Sequence, residues 1–302
     1  MYLQRQALNS LKQWYNGPLR KMPAVLFGAR QVGKSTLAAE FAKSTGRDVI
    51  TVNFWKDADE TYKRLFSESA SAKELLSSLE VILGRRINQE SAFLILDEIQ
   101  ACPRAYSLCK SFKEDTHIPV IATGSYLRLL LRFGNMTRDG HQKFEIPVGC
   151  TYEKLVTPLR FSEYLANRNE PLSERYQALS IQNKIDDVLH RELLKVYYEY
   201  LYVGGMPEAM SAFLDQHNDS VQEALVNTRE IHKALLSGYQ NDFLTFGRDA
   251  FEQRNLGERL HYTFLTVAKE LYRYRETDSP VKRFRFTSLG KNAEYKRVAN
   301  VF

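Results

Sequence analysis

Cysteine is scarce in this sequence, and long apolar runs are missing. The 302 residues include three cysteines, Cys102, Cys109 and Cys150, which form no CxxC pair and cannot all pair with one another. We interpret them as reduced thiols. No stretch approaches the roughly 20 apolar residues that a membrane-spanning helix requires. The N-terminus also lacks the apolar core of a signal peptide, so we expect a cytoplasmic protein that does not associate with a membrane.

Acidic residues are absent from the start of the chain. None precedes Glu40, whereas basic residues are frequent there and again over residues 273–297, and the net charge is +6. Basic clusters attract nucleic acid, which makes nucleic acid one candidate partner. Basic clusters also occur on ordinary solvated surfaces, or pair with acidic residues elsewhere in the chain, and this alternative stays open. The six histidines show no metal-ligand spacing, and we predict no zinc site.

Apolar runs alternate with helical patterns over the first half of the chain. The runs are continuous, which is typical of strands in a parallel sheet that helices cover on both faces. A last, weaker strand is expected at Leu155 and Val156. From Phe161 onward the pattern is helical, and we therefore predict an α/β domain followed by a mainly helical second domain. The clear apolar runs are residues 24–27, 49–54, the beginning of 92–100, and 119–125.

The segment Gly28–Ser35 reads GARQVGKS and fits the pattern G-x-x-x-x-G-K-[ST] at every fixed position. A predicted strand precedes it and a helix follows it, which favours a phosphate-binding loop over a chance glycine-rich turn. Glycine lets successive N–H groups turn toward an anion, and the helix adds its positive N-terminal end. We therefore predict a P-loop NTPase fold. Its predicted nucleotide contacts are Gly28, Ala29, Arg30, Gln31, Val32, Gly33, Lys34, Ser35 and Thr36.

Two acids follow the buried strand that begins at residue 92. Asp97 at the strand end can hold Mg²⁺ beside the phosphates, together with the Ser35 hydroxyl. Glu98 can polarise the attacking water as general base, while Lys34 reaches the β- and γ-phosphates. Paired acids at a strand end also occur as plain surface residues. Their position after a phosphate loop favours the catalytic interpretation.

Polar side chains also end the strand VIATGS. Thr123 or Ser125 can contact the γ-phosphate or position the water, and a helix N-cap at Ser125 is the alternative. Asn53 ends the second strand, and a satisfied strand-end amide is favoured there over a role in orienting Glu98. Three arginines are candidates for stabilising the charge of the transition state, namely Arg128, Arg132 and Arg138. The alternative is that they are ordinary surface residues.

Longer segments of the chain carry a family resemblance. They read "GARQVGKSTL", "LILDEIQACPRAYSLCKSFKED", "VIATGSYL", "LVTPLRFSEYLA" and "YLYVGGMPEAM", in that order. Together they resemble a family of bacterial and archaeal AAA-superfamily P-loop ATPases. The resemblance implies that Lys34, Ser35, Asp97 and Glu98 serve ATP and Mg²⁺, and that Ser125 lies at the sensor position.

The resemblance also implies an order of domains. It gives an ATPase domain over residues 1–168, a helical, winged-helix-like domain over 169–248 and the start of a C-terminal domain over 249–302. In the family that last domain has no known function, and a restriction-endonuclease-like fold is suggested for it. Relatives continue beyond the last residue here, so a truncated chain is expected, and no nuclease site is assigned. Cys150 stands where many relatives carry a basic residue.

We expect an ATP-binding protein and Mg²⁺-dependent ATPase of AAA type that acts as a nucleotide-driven switch or motor. An arginine from this chain, from a second copy or from a protein partner would complete the site. The alternative is a signalling or regulatory NTP-binding module that works through protein partners with little or no turnover. Stimulation by DNA would favour a nucleic-acid motor, whereas nucleotide-dependent assembly without DNA would favour the signalling role.

Overall fold

The computed structural model describes residues 3–125, 149–180, 185–243, 258–267 and 269. Among these, the residues up to Arg229 form one compact unit and those from Glu230 onward form a second. Within the described ranges, no helix combines the length and the apolar character needed to cross a membrane. The predicted domain boundaries at 168 and 248 stay predictions.

Five strands and eleven helices with full bounds are described. The strands are β1 (Ala24–Gly28), β2 (Asp48–Asn53), β3 (Ala92–Asp97), β4 (Val120–Ser125) and β5 (Tyr152–Leu155). The helices are α1 (Gln6–Asn16), α2 (Lys34–Ser44), α3 (Thr61–Glu68), α4 (Ala72–Leu83), α5 (Pro103–Ser107), α6 (Cys109–Asp115), α7 (Phe161–Arg168), α8 (Glu170–Gln177), α9 (Asp187–Val203), α10 (Pro207–Gln216) and α11 (Val221–Phe243). Short 3₁₀ turns lie at Pro18–Lys21 and Ile99–Ala101. Residues 258–267 are helical as well.

The sheet is parallel throughout, in the order β2-β3-β4-β1-β5. The predicted α/β fold with a parallel sheet and a mainly helical region after it is therefore confirmed. The last strand begins earlier than the expected pair Leu155 and Val156, at Tyr152. It lies at the sheet edge, where its side chains alternate between half-buried and exposed positions. Because this strand contains the polar residues Glu153 and Lys154, it does not form the continuous apolar run by which the other strands are predicted.

Helices cover both faces of the sheet, which explains the continuous apolar runs. Leu26 and Phe93 face α1 and α2, where they pack with Trp14 and Phe41. Their strand neighbours face the opposite side, in a core that α3 to α6 contribute to and that includes Val25. Alternate residues of a strand point to opposite faces, so both sets must be apolar when both faces are covered.

The three cysteines are all buried as thiols, and Cys102 and Cys109 belong to the core that α3 to α6 contribute to. Burial raises the pKa of Cys109 to about 12, because a thiolate is poorly solvated there. At neutral pH this side chain is therefore an apolar packing group rather than a nucleophile. The expectation of reduced thiols agrees with these positions.

The helical region is joined to the sheet through a close backbone contact at Gly205. The Leu159 N–H donates to the Gly205 carbonyl at 2.7 Å, and the Tyr200 hydroxyl donates to the Leu159 carbonyl at 2.8 Å. A Cβ atom at position 205 would lie 2.3 Å from the Leu159 oxygen, so only glycine fits. Met210 and Phe213 of α10 pack in the same cluster as Leu159. α10 begins two residues after this contact, at Pro207, which lines the site described below.

Candidate nucleotide-binding site

The loop between β1 and α2 has the backbone geometry of an anion cradle. Gln31 and Gly33 have φ values of +63° and +84°, so the chain turns twice through the left-handed region. Gly33 is the N-cap of α2 and has no side chain to cap the first N–H groups of the helix. A bound anion can take that place at the positive helix end.

Lys34 is held inside this loop. Its side chain is only 6% exposed, and Nζ donates to the carbonyl oxygens of Ala29 at 2.7 Å and Gly28 at 3.3 Å. Burial lowers the pKa of Lys34 and Arg30 lowers it further, while Glu98 and Asp97 act in the opposite direction. The desolvated ammonium gains most from a nearby anion, because little water competes for it.

Asp97 joins four elements at the carboxyl edge of the sheet. Its Oδ1 accepts from Ser35 Oγ of α2 at 2.7 Å and from Thr123 Oγ1 of β4. Its Oδ2 accepts from Asn53 Nδ2 of β2 at 2.7 Å. The Asn53 Oδ1 accepts from the backbone N–H groups of Trp55 and Lys56. Asn53 is thus a satisfied strand-end amide bonded to Asp97 rather than to Glu98.

The pair Ser35 and Asp97 fits Mg²⁺ as far as the donor set allows. Hydroxyl and carboxylate oxygens are the ligands that this hard cation takes, and it usually keeps several waters and adds phosphate oxygens. Over the described ranges, no group of three or more His, Cys, Asp or Glu side chains forms a metal cage. Among the described residues, Ser35 and Asp97 are therefore the oxygen donors that would hold Mg²⁺, together with phosphate and water.

Glu98 follows β3 in a left-handed conformation, with φ of +61°. Its backbone N–H donates to Thr123 Oγ1 at 3.4 Å, and its carboxylate accepts from the side-chain amide of Gln100. The Gln100 Oε1 accepts in turn from the backbone N–H of Ser125 at 3.1 Å. Ser125 is thus tied to Glu98 through one buried glutamine.

A cavity of about 530 Å³ opens over the loop, which is within the range of small-ligand sites. One side of it is lined by the phosphate loop, the start of α2 and the residue after β3, namely Arg30, Gln31, Gly33, Lys34, Ser35, Thr36 and Glu98. Leu3 and Arg5 of the N-terminal segment and Pro207, Glu208 and Ser211 of α10 line the rest. A smaller cavity of about 180 Å³ lies beside Glu98, and its other lining residues are Arg30, Lys34, Asn53, Trp55, Lys56, Gln100 and Ser125. The Arg30 guanidinium lies 5.8 Å from the centre of the Trp55 ring.

Arg5 is a part of the site that the motifs do not indicate. Its guanidinium is buried, and it donates to the Val32 carbonyl at 2.7 Å and to the Thr157 carbonyl at 2.5 Å. Its Nε lies 3.7 Å from the Glu163 carboxylate on α7. Arg5 thus connects the phosphate loop to the segment between β5 and α7, and the sequence carries no motif that signals this.

The structure brings together every predicted nucleotide, metal and catalytic residue from Gly28 to Ser125. Ala29 and Gly28 contribute carbonyl oxygens to Lys34, and Val32 is buried under the loop. The three candidate arginines Arg128, Arg132 and Arg138 lie outside the described residues. The basic segment 273–297 lies outside them as well.

Comparison with known proteins found the following similarities. Residues 20–165 match the family model of an AAA domain. An uncharacterized protein of Methanocaldococcus jannaschii, MJ1637, is 24% identical over 203 residues, which cover 63% of this chain and 39% of that protein. Among solved structures, C. elegans PCH-2 is similar with a TM-score of 0.38 and 12% identity, over 76% of this chain and 66% of that one.

The chain therefore spans less than two thirds of the length of these two proteins. The expectations of a truncated chain and of a restriction-endonuclease-like C-terminal domain stay predictions. Residues 20–165 are similar to AAA domains, and this match supports the AAA type of P-loop ATPase that the motifs indicate.

Proposed function

We propose that this chain binds ATP with Mg²⁺ in the cavity of about 530 Å³ and hydrolyses the nucleotide as a switch. One observation carries the proposal: the hydroxyls of Ser35 and Thr123 both donate to the Asp97 carboxylate, and the buried Lys34 precedes Ser35 in the loop. A hydroxyl, a carboxylate and an ammonium at the start of a helix are the groups that a phosphate–Mg²⁺ complex requires.

Each residue of the loop has a defined task in this proposal. The N–H groups at the start of α2 and the Lys34 ammonium bind the phosphate oxygens. Ser35 Oγ and Asp97 would hold Mg²⁺, which supplies neutralisation of phosphate charge when it is bound. Thr123 and Asn53 keep the Asp97 carboxylate in place through the hydrogen bonds described above.

Glu98 is the general base of the proposed reaction. Glu98 and Lys34 both line both cavities, so the same space can hold a phosphate at Lys34 and a water at the Glu98 carboxylate. Polarising that water for in-line attack requires a carboxylate within hydrogen-bond distance of it. An arginine from this chain, a second copy or a protein partner remains part of the proposal, because charge develops on the transferred phosphoryl group.

The proposed switch follows from the second wall of the cavity. Pro207, Glu208 and Ser211 at the start of α10 line the same cavity as the loop. A nucleotide in this cavity would therefore contact both the sheet edge and α10, and its binding or loss would change the contacts of that helix. The alternative is a regulatory nucleotide-binding module with little turnover, acting through protein partners.

Replacing Lys34 with alanine is expected to weaken MgATP binding about 10- to 100-fold, because charge-assisted hydrogen bonds to phosphate are lost. Titration calorimetry with MgATP measures this change. Lys43→Ala is the matched control, since Lys43 lies on the same helix with its side chain 68% exposed and pairs only with Glu40 among the salt bridges described. The control should bind as the parent does, and equal affinity in both variants would contradict the proposed phosphate contact.

Phosphate release from MgATP by the parent chain tests hydrolysis itself. The assay is run with and without duplex DNA, over a range of salt concentration, and beside size-exclusion chromatography with and without ATP. Stimulation by DNA that falls steeply with salt would support nucleic acid as partner. Nucleotide-dependent assembly without DNA would support the second copy or protein partner. Tight ATP binding without phosphate release would favour the regulatory module instead.

A further inference from the structure

Gln100 is a buried polar side chain inside the candidate site. It is 2% exposed and lies in the 3₁₀ turn Ile99–Ala101, between the apolar residues Ile99 and Cys102, which are also buried. A buried amide is costly unless its donor and acceptor groups are satisfied. Burying an apolar side chain in this turn would cost less free energy, so the contacts of the amide must explain why glutamine occupies the position.

The contacts determine which way the amide points. The backbone N–H of Ser125 donates to Oε1 of Gln100, and a backbone N–H can only donate. The oxygen of the amide must therefore face Ser125, which leaves Nε2 facing the Glu98 carboxylate. Nε2 then donates to Oε2 of Glu98. The assignment of amide nitrogen and oxygen follows from the network and not from shape alone.

This hydrogen bond restrains the group that the proposed reaction depends on. The Glu98 backbone is held in a left-handed conformation by β3, by the turn and by the hydrogen bond of its N–H to Thr123. Its side chain is half-buried and has three rotatable bonds, which give several positions for the carboxylate. A donor on one carboxylate oxygen selects one of these positions and leaves the second oxygen for water.

We propose that Gln100 is a positioning residue for Glu98. Its amide holds the carboxylate in the orientation that polarises water, and it ties that orientation to the end of β4 at Ser125. The inference rests on the proposed function, in which Glu98 is the general base. It goes beyond that function by making the end of β4 control the base through one side chain.

Two substitutions separate the two halves of the amide. Gln100→Met removes the hydrogen bonds to Glu98 and Ser125 at nearly constant volume, whereas Gln100→Glu in its ionised form keeps an acceptor for the Ser125 N–H and offers no donor to Glu98. We expect both to lower kcat about 10- to 100-fold, because a small displacement of a catalytic group is enough for such a loss. ATP affinity by calorimetry should stay within about twofold of the parent for Gln100→Met, which adds no charge and whose two described hydrogen bonds do not involve the loop.

The matched control is Gln89→Met. Gln89 also accepts a hydrogen bond from a backbone N–H, that of His117, and it lies in the turn before β3, at the opposite end of that strand from Glu98. Its substitution should leave kcat unchanged. Thermal unfolding of all variants without nucleotide gives an additional readout, in which Gln100→Glu and Gln89→Met keep a single transition.

A double-mutant cycle with Glu98→Gln decides between positioning and a merely structural role. If Gln100 acts through Glu98, then Gln100→Met has no further effect once the base is gone. An equal loss in both backgrounds would overturn the inference, and so would loss of ATP binding in both Gln100 variants. If the Gln100 variants hydrolyse ATP at the parent rate while Glu98→Gln is slow, the inference is overturned and the proposed function stands. A parent without turnover, or a fully active Glu98→Gln variant, would overturn the proposed function and the inference with it.

Discussion

Replacing Glu98 with glutamine is expected to lower the rate of ATP hydrolysis about 10²- to 10⁴-fold, while ATP affinity changes by less than about twofold. The amide has the size of the carboxylate but cannot accept a proton from water. Lys34, Ser35 and Asp97 keep their hydrogen bonds, so the phosphate contacts are unchanged. Single-turnover phosphate release measures the chemical step, and calorimetry with MgATP measures the affinity.

Glu60→Gln is a closely matched control for this substitution. Glu60 is also a glutamate in the left-handed region, with φ of +54°, and it pairs with Lys63 at 3.4 Å on an exposed surface. Both variants therefore exchange a carboxylate for an amide on the same unusual backbone. Glu60→Gln should hydrolyse ATP at the parent rate. A Glu98→Gln variant that is equally fast would remove Glu98 from the mechanism and would favour the regulatory module.

Local patterns were sufficient to predict the phosphate loop and the acids. The loop lies within eight consecutive residues, Gly28–Ser35, and its glycines have a direct backbone meaning. Asp97 and Glu98 end a run of apolar residues whose continuity predicts a buried parallel strand. The carboxyl ends of parallel strands share one edge of the sheet, so their closeness to the loop also followed from the fold class.

The walls of the cavity could not be predicted in the same way. Arg5 and Thr157 are hydrogen-bonded at a separation of 152 positions, and no periodicity connects residues so far apart. Pro207 lines the cavity two residues after Gly205, whose close contact with Leu159 exists only in the packed structure. In the sequence, Pro207 after Gly204 and Gly205 is explained equally well by the start of a helix, without any role in a cavity.

The hydrogen bonds around Glu98 could not be predicted from the sequence for a third reason. Sequence indicated Ser125 as a sensor or N-cap through its side chain, whereas the described hydrogen bond to Gln100 comes from its backbone N–H. Side-chain types carry no information about backbone donors, which every residue except proline has. Gln100 itself lies two residues after the acids in the motif, but its burial and its hydrogen bonds to Glu98 and Ser125 appear only in three dimensions.

Substituting Arg5 with methionine is expected to lower the free energy of unfolding by about 3–5 kcal/mol, the range for removing one partner of a buried ion pair. Arg5 and Glu163 are each 6% exposed, so water does not replace the lost charge. The carbonyl groups of Val32 and Thr157 lose the donors described above. Urea unfolding followed by circular dichroism measures the change. MgATP binding should weaken as well, because Val32 belongs to the phosphate loop.

Arg86→Met is the control that separates this effect from loss of a positive charge. The Arg86 side chain is 95% exposed, and its pair with Glu80 at 3.6 Å is expected to contribute at most about 1 kcal/mol. Arg5→Met combined with Glu163→Gln should recover part of the loss, since the buried carboxylate no longer lacks its partner. Equal stabilities of Arg5→Met and Arg86→Met would contradict the role of Arg5. If ATP binding fell without any loss of stability, Arg5 would instead act directly on the nucleotide, whose cavity it lines.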